Sequence, residues 1–203
     1  MFITFEGGEG SGKTSLIERL KLALSNIGID VVTTREPGGS FIAEQIRKII
    51  LDNQNTEMKA HTEALLFAAS RAQHLDEVII PAQQAGKMIL CDRYLDSSIA
   101  YQAYGRGLGE EFVRKVNSYA LDHMPDLTFY IDIDPTIGIE RVKKNRIHKS
   151  DRLDVETQEF HKRVREGYLT LVCNDTKRVI RIEGNQTLDA LFEQVFAKIK
   201  ERL

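Results

Sequence analysis

Residues 7–14, Gly7-Gly8-Glu9-Gly10-Ser11-Gly12-Lys13-Thr14, complete the pattern G-x-x-x-x-G-K-[ST]. An apolar run of strand formers, Phe2 to Phe5, precedes it. Leu16, Leu20, Ala23, Leu24 and Ile27 follow at helical spacing, and Gly28 stands where a helix would end. Strand, glycine loop and helix form the setting in which this pattern cradles a polyphosphate. The glycines let the backbone turn tightly, so that N–H groups converge on phosphate oxygens, and the helix N-terminus adds its dipole. The pattern assigns Lys13 to the β- and γ-phosphates and the Thr14 hydroxyl to Mg²⁺. A donor such as ATP with its Mg²⁺ is the ligand this loop predicts.

Strand and helix patterns alternate about five times along the 203 residues. The strand candidates are 2–5, 29–34, 87–91, 127–133 and 177–182. This alternation predicts an α/β fold, a mostly parallel sheet with helices on both faces, in one domain spanning 1–203. Between the strands, Ser40 is positioned to cap a helix through about Leu51, with Ile42, Ile46, Ile49 and Ile50 on its core face. A long helix over about 62–85 would bury Leu65, Ala68, Ala69, Ala72, Leu75 and Ile79 and kink near Pro81. Thr187 would cap the last helix, with Leu188, Leu191, Phe192, Val195, Phe196 and Ile199 inward. The basic stretch 143–154, KKNRIHKSDRLD, lacks an apolar period and reads as a lid.

In such a fold, ligands gather at the carboxyl ends of the strands. Each polar motif falls there: the glycine loop, Arg35 to Gly39, and Asp92-Arg93-Tyr94. Asp92 can hold Mg²⁺ through water, while Arg93 can clamp an acceptor phosphate. The chain has no second acid after Asp92 and no Asn-Lys-x-Asp guanine motif, which argues against a nucleotide-hydrolysing switch. Arg35, Arg47, Arg71 and Arg106 converge from separate segments, as an anionic substrate requires. Phe67 and Arg71 share a helix face, as do Ser98, Tyr101 and Gln102. These suit a flat, hydrogen-bonding base; taken singly, Phe67 reads equally as core packing and the arginines as surface charge. Glu9 would be unfavourable beside a polyphosphate and is expected to point across to the acceptor. Ser11 leaves the loop without a cation beyond Lys13, so the lid is expected to contribute an arginine.

These motifs resemble the bacterial thymidylate kinase family nearly from end to end. They are Phe5-Glu6-Gly7-Gly8-Glu9-Gly10-Ser11-Gly12-Lys13-Thr14, Thr34-Arg35-Glu36-Pro37-Gly38-Gly39, Leu66 to Arg71, and Asp92 to Gln102, with Pro125-Asp126-Leu127 and Asp151 to Asp154 also fitting. The resemblance implies a P-loop kinase fold with a five-stranded parallel sheet and a short lid. It implies transfer of the ATP γ-phosphoryl group to dTMP, giving dTDP, with Mg²⁺. It implies that Phe67 stacks on thymine and that Arg71, Ser98 and Gln102 hydrogen-bond the base, with Arg47 nearby. Tyr101 would press on the sugar, Arg93 and the loop Arg35 to Pro37 would hold the acceptor phosphate, and Glu9 the 3′-hydroxyl region. Arg146 and Arg152 are the candidate lid arginines. The resemblance also implies a homodimer. Another nucleoside monophosphate kinase, and a nucleotide binder without turnover, are the alternative readings.

The net charge of −2 argues against broad nucleic-acid binding, and no apolar run is long enough to span a membrane. No basic segment precedes an apolar one at the N-terminus, so a cytoplasmic protein is expected. Cys91 and Cys173 have no metal or redox spacing and are expected to be reduced and buried, and the five histidines form no ligand constellation.

Overall fold

The computed structural model describes residues 1–145, 151–153 and 155–203. In chain order come β1 (Phe2–Glu6), α1 (Lys13–Asn26), β2 (Val31–Arg35), α2 (Phe41–Leu51) and α3 (Ala60–His74). A π-helical turn, Leu75–Ile79, joins α3 to α4 (Ile80–Gln84), and β3 (Met88–Asp92) follows. Next are α5 (Leu95–Ser98), which continues as a π-helical stretch over Ile99–Gly105, then α6 (Glu110–Val116), α7 (Ser118–Leu121) and β4 (Leu127–Asp132). The chain finishes with α8 (Pro135–Asn145), α9 (Gln158–Asn174), β5 (Val179–Glu183) and α10 (Leu188–Lys200).

The five strands form one parallel sheet in the order β2-β3-β1-β4-β5. Central strands covered on both faces should be apolar along their whole length, and β1 and β4 are buried at every residue. The edge strands β2 and β5 are only partly buried. Side chains alternate across the sheet. On β1, Ile3 and Phe5 join the core formed with α1 and α10, while Phe2 joins the core that holds Tyr94, Tyr101 and Tyr168. Glu6 shares the parity of Phe2, so this carboxyl is driven into the second layer rather than toward the glycine loop's helix.

Five of the expected patterns differ in detail. The buried face of α3 carries Glu63, Ala64, Phe67, Ser70, Arg71 and His74, while Leu65 is 52% exposed. A hydrogen-bonded polar network, rather than apolar spacing, sets that helix's rotation. On α2, Ile50 is buried, but Ile42 and Ile49 turn outward. Ser40 precedes α2 without a side-chain cap bond; Glu44 instead accepts from Gly39 N–H at 3.0 Å. Leu188 is 38% exposed, and Cys173 is exposed although Cys91 is buried. The π turn at Leu75–Ile79 lies just before Pro81, whose missing N–H a wider turn accommodates. Thr187 does cap α10, accepting from Ala190 N–H, and α8 runs three residues into the basic stretch, to Asn145.

Candidate active site

The glycine loop leaves the carboxyl end of β1 and enters α1 at Gly12, whose φ of 91° is left-handed. Lys13 is 7% exposed, and its Nζ donates to the carbonyls of Gly7 and Gly8 at 3.1 Å and to Ser11 Oγ at 3.2 Å. Burial pushes this ammonium below its usual range, with the positive charge of Arg93 adding to the effect. Gly10, at φ 68°, lies so close to α8 that an added Cβ would stand 2.3 Å from the carbonyl oxygen of Gly138. Thr14 Oγ1 donates to Asp92 Oδ2 at 3.1 Å, placing a hydroxyl and a carboxylate from two segments side by side. Two hard oxygens at a phosphate loop are a donor set that fits Mg²⁺.

Beyond Asp92, Arg93 takes a φ of 70° and directs its guanidinium back across the loop. It pairs with Glu9, donates to Ser97 Oγ and Tyr168 Oη at 3.3 Å each, and lies 5.1 Å from the Tyr101 ring centroid. Burial alone would raise the Glu9 carboxyl; Arg93 and then Lys13 override it and hold Glu9 below the usual carboxylate range. Beneath the pair lies Glu6, fully buried, accepting from Tyr94 N–H at 2.7 Å, Ser97 Oγ at 2.5 Å and Tyr168 Oη at 2.9 Å. Desolvation, reinforced by the charge of Asp96, raises Glu6 from 4.5 to about 7.

The predicted base-reading residues also come together. Arg71, 2% exposed, donates from Nη2 to Ser98 Oγ at 3.0 Å and to the Tyr94 carbonyl at 3.1 Å, and from Nε to Glu36 at 2.7 Å. Phe67 is 8% exposed on the same face of α3, and Tyr101 and Gln102 are buried on the facing π-helical stretch. Phe67 belongs to the core layer there, so packing and ligand contact are not exclusive at this position. The Tyr101 hydroxyl is buried without a partner among the described residues. Around the loop after β2, Arg47 on α2 donates from Nη1 to the Pro37 carbonyl at 2.6 Å, and Arg35, the last residue of β2, pairs with Glu44 at 3.2 Å.

The lid candidates separate. Arg146 lies outside the described residues. Arg152, 9% exposed, donates to Glu63 at 2.6 Å and to the Ile50 carbonyl at 3.0 Å, and no described contact links it to the glycine loop. Arg106 is engaged by Glu63 and Glu156. Glu63 thus gathers Gln102, Arg106 and Arg152 around one buried carboxylate. Sequence reasoning passed over Glu63, although an acid four residues before Phe67 sits on the same helix face. It also passed over His161, 7% exposed, whose Nε2 lacks a partner among the described residues and whose ring senses Glu9 and Arg93 electrostatically.

Comparison with known proteins gives a consistent result. A family model described as thymidylate kinase matches residues 5–195. A protein of Acholeplasma laidlawii (strain PG-8A) named thymidylate kinase is 64% identical over 203 residues, the whole of both chains. Another of that name, from Geobacillus thermodenitrificans (strain NG80-2), is 51% identical over all of this chain and 90% of its own length. The crystal structure of thymidylate kinase from Ehrlichia chaffeensis aligns with a TM-score of 0.81 and 31% identity over 98% of each chain.

Proposed function

The chain belongs to the thymidylate kinase family and transfers the γ-phosphoryl group of ATP to dTMP to form dTDP, and from that premise we propose how its residues divide the work. An oxygen of the dTMP phosphate forms the new bond to the γ-phosphorus as the bond to the β–γ bridging oxygen breaks. Residues Gly7 to Thr14 cradle the ATP phosphates, and Lys13 follows the charge that builds on the γ-phosphoryl oxygens. Mg²⁺, which the family implies, would be held by Thr14 and, through water, by Asp92, where it would supply positive charge to the donor phosphates.

Arg93 holds the acceptor phosphate in line, and Glu9 orients Arg93 while facing the sugar's 3′-hydroxyl region. The loop Arg35 to Pro37 assists at the phosphate, with Arg47 nearby. Phe67 stacks on thymine, Arg71, Ser98 and Gln102 read its edge, and Tyr101 lies against the deoxyribose. Arg146 and Arg152, in the basic lid segment 143–154, are the candidates for the cation that Ser11 leaves out. Of the two, Arg152 would first have to leave Glu63. The observation that supports this reading best is the Arg93–Glu9 pair, which joins a phosphate-binding turn to an arginine-and-aromatic pocket.

Among the described residues no helix is long and apolar enough to cross a membrane. We assign the chain to the cytoplasm as a single unit that acts as a homodimer. The surface that suits dimerisation is the outward face of α2 and α3, where Phe41 is 80% exposed, Ile42 47%, Ile49 50% and Leu65 52%. The acceptor assignment is tested by incubating the protein with ATP, Mg²⁺ and, in turn, dTMP, UMP, CMP, AMP or GMP. dTMP should be used best; a clear preference for AMP or UMP would sink the base pocket drawn here.

A further inference from the structure

His74 is fully buried, and both of its ring nitrogens are engaged. Nδ1 lies 2.9 Å from Glu36 Oε1 and Nε2 lies 2.6 Å from Thr34 Oγ1. A carboxylate accepts, so Nδ1 carries a proton and donates to Glu36, while Nε2 and the Thr34 hydroxyl share the second hydrogen bond. The other Glu36 oxygen takes Arg71 Nε at 2.7 Å. His74 on the last turn of α3 and Arg71 one turn earlier on the same helix therefore share one carboxylate, and Thr34 near the end of β2 is joined to it through the His74 ring.

The guanidinium of Arg71 has five N–H groups. Four are used by the protein: one on Nε by Glu36, one on Nη1 by Asn117, and two on Nη2 by the Tyr94 carbonyl and Ser98 Oγ. Among the described contacts that leaves one Nη1 hydrogen for a ligand. A single donor specifies a carbonyl on a base only if its direction is fixed. Glu36, the only charged partner among the four, anchors Nε and so helps set that direction, and the Glu36 carboxylate is itself held by His74. The imidazole also underlies the acceptor-phosphate loop: an added Cβ at Gly39, where φ is 87°, would stand 2.6 Å from its ring atoms. The next amide in that loop is anchored from the same helix, Gly38 N–H donating to Ser70 Oγ at 3.1 Å.

We propose that His74 is a positioning residue for acceptor recognition, holding Glu36 so that Arg71 presents its last free N–H to the base while the ring seats the loop that faces the acceptor phosphate. The proposal rests on the reading of Arg71 as a base contact given above. It concerns a group with no surface exposure, so His74 itself never meets substrate.

The test compares steady-state kinetics of His74→Leu, His74→Asn and His74→Gln with those of Arg71→Gln and the unaltered protein, with melting temperatures recorded for all. Leu removes both bonds, Asn can place an amide N–H where Nδ1–H stands, and Gln places its amide toward Nε2 and abandons Glu36. His74→Leu should raise KM for dTMP about tenfold while KM for ATP stays within roughly twofold, the loss of one charge-assisted hydrogen bond expressed at one substrate only. Its preference for dTMP over dCMP should also fall, and His74→Asn should recover most of both effects. Equal shifts for dTMP and ATP, or an unshifted dTMP KM, would overturn the role. Should the Leu variant not fold, the Asn and Gln variants decide: Asn close to the unaltered protein and Gln raised for dTMP supports the role, and equal values reject it. If Arg71→Gln itself leaves KM for dTMP unchanged, the base-contact reading fails and takes this proposal with it. If Arg71→Gln raises it and His74→Leu does not, only the role of His74 is lost.

Discussion

Arg93 and Glu9 form an ion pair that links the end of β3 to the middle of the phosphate loop, with Ser97, Tyr168 and the Tyr101 ring fixing the arginine from the other side. The guanidinium serves several partners in different directions, which a lysine ammonium cannot reproduce. Arg93→Lys should therefore lower kcat/KM for dTMP about 100-fold in a coupled assay of ADP release. A loss under threefold would show that charge alone suffices there and that the fork geometry is irrelevant.

Lys13 spans the loop it belongs to, bonded to Gly7, Gly8 and Ser11. Lys13→Ala should cut turnover by two to three orders of magnitude, the usual size for a lost electrostatic clamp. Circular dichroism should show the fold intact. Turnover near normal would contradict the placement of the ATP phosphates.

Phe67 is mostly buried, and the proposed reading stacks it on the acceptor base. Phe67→Ala should raise KM for dTMP well above any change for ATP, and should lower stability by roughly 3 kcal/mol through lost packing. Equal kinetic effects on the two substrates would reduce Phe67 to a core residue.

Glu6 makes stability depend on pH. Its carboxyl stands at about 7 when folded, against 4.5 when solvated, because desolvation and Asp96 favour the protonated form. The folded state therefore holds a proton that the unfolded state releases. The contribution is complete below pH 4.5 and is lost as pH rises through about 7. Urea denaturation should show a decline across that window, on the order of 3 kcal/mol if this group acts alone. Glu6→Gln should flatten it; an unchanged slope in the variant would assign the decline elsewhere.

Phe41, at 80% exposure, stands out on the α2–α3 face. Introducing Phe41→Asp together with Ile49→Asp should convert a sedimenting dimer into a monomer. An unaltered protein that sediments as a monomer at micromolar concentration would remove the dimer from the account.

The sheet was legible because its central strands are mostly apolar, with polar residues gathered at their carboxyl ends, and such short apolar runs survive any rotation of the neighbouring helices. The glycine loop was legible because its chemistry is local: the eight residues Gly7 to Thr14 carry their own backbone requirements. The juxtaposition of α3 with the stretch after β3 was legible as spacing, Phe67 to Arg71 and Ser98 to Gln102, and Arg71 does meet Ser98. What spacing did not show was rotation. Leu65 looked like a core residue and faces outward because Glu63, Arg71 and His74 on the other side have buried partners. Nor did it show partnership at a distance. Arg152 read as a lid cation and is engaged by Glu63, from a helix far earlier in the chain. Hydrogen bonds between remote side chains leave no periodic trace, so His74 and Asn117 carried no signal of their own, and Tyr168 showed only as one of the periodic residues of α9.

Gly10 and Gly138 exclude side chains from each other: a Cβ on Gly138 would stand 2.3 Å from the Glu9 carbonyl oxygen, as one on Gly10 would from the Gly138 oxygen. The phosphate-binding turn is thus not a cassette that ends at Thr14. Grafted into another scaffold, residues 7–14 would lack the bare helical backbone that keeps their crest pressed down. Conversely, a methyl group at position 138, remote in sequence and invisible to the motif, would wedge the turn open from behind.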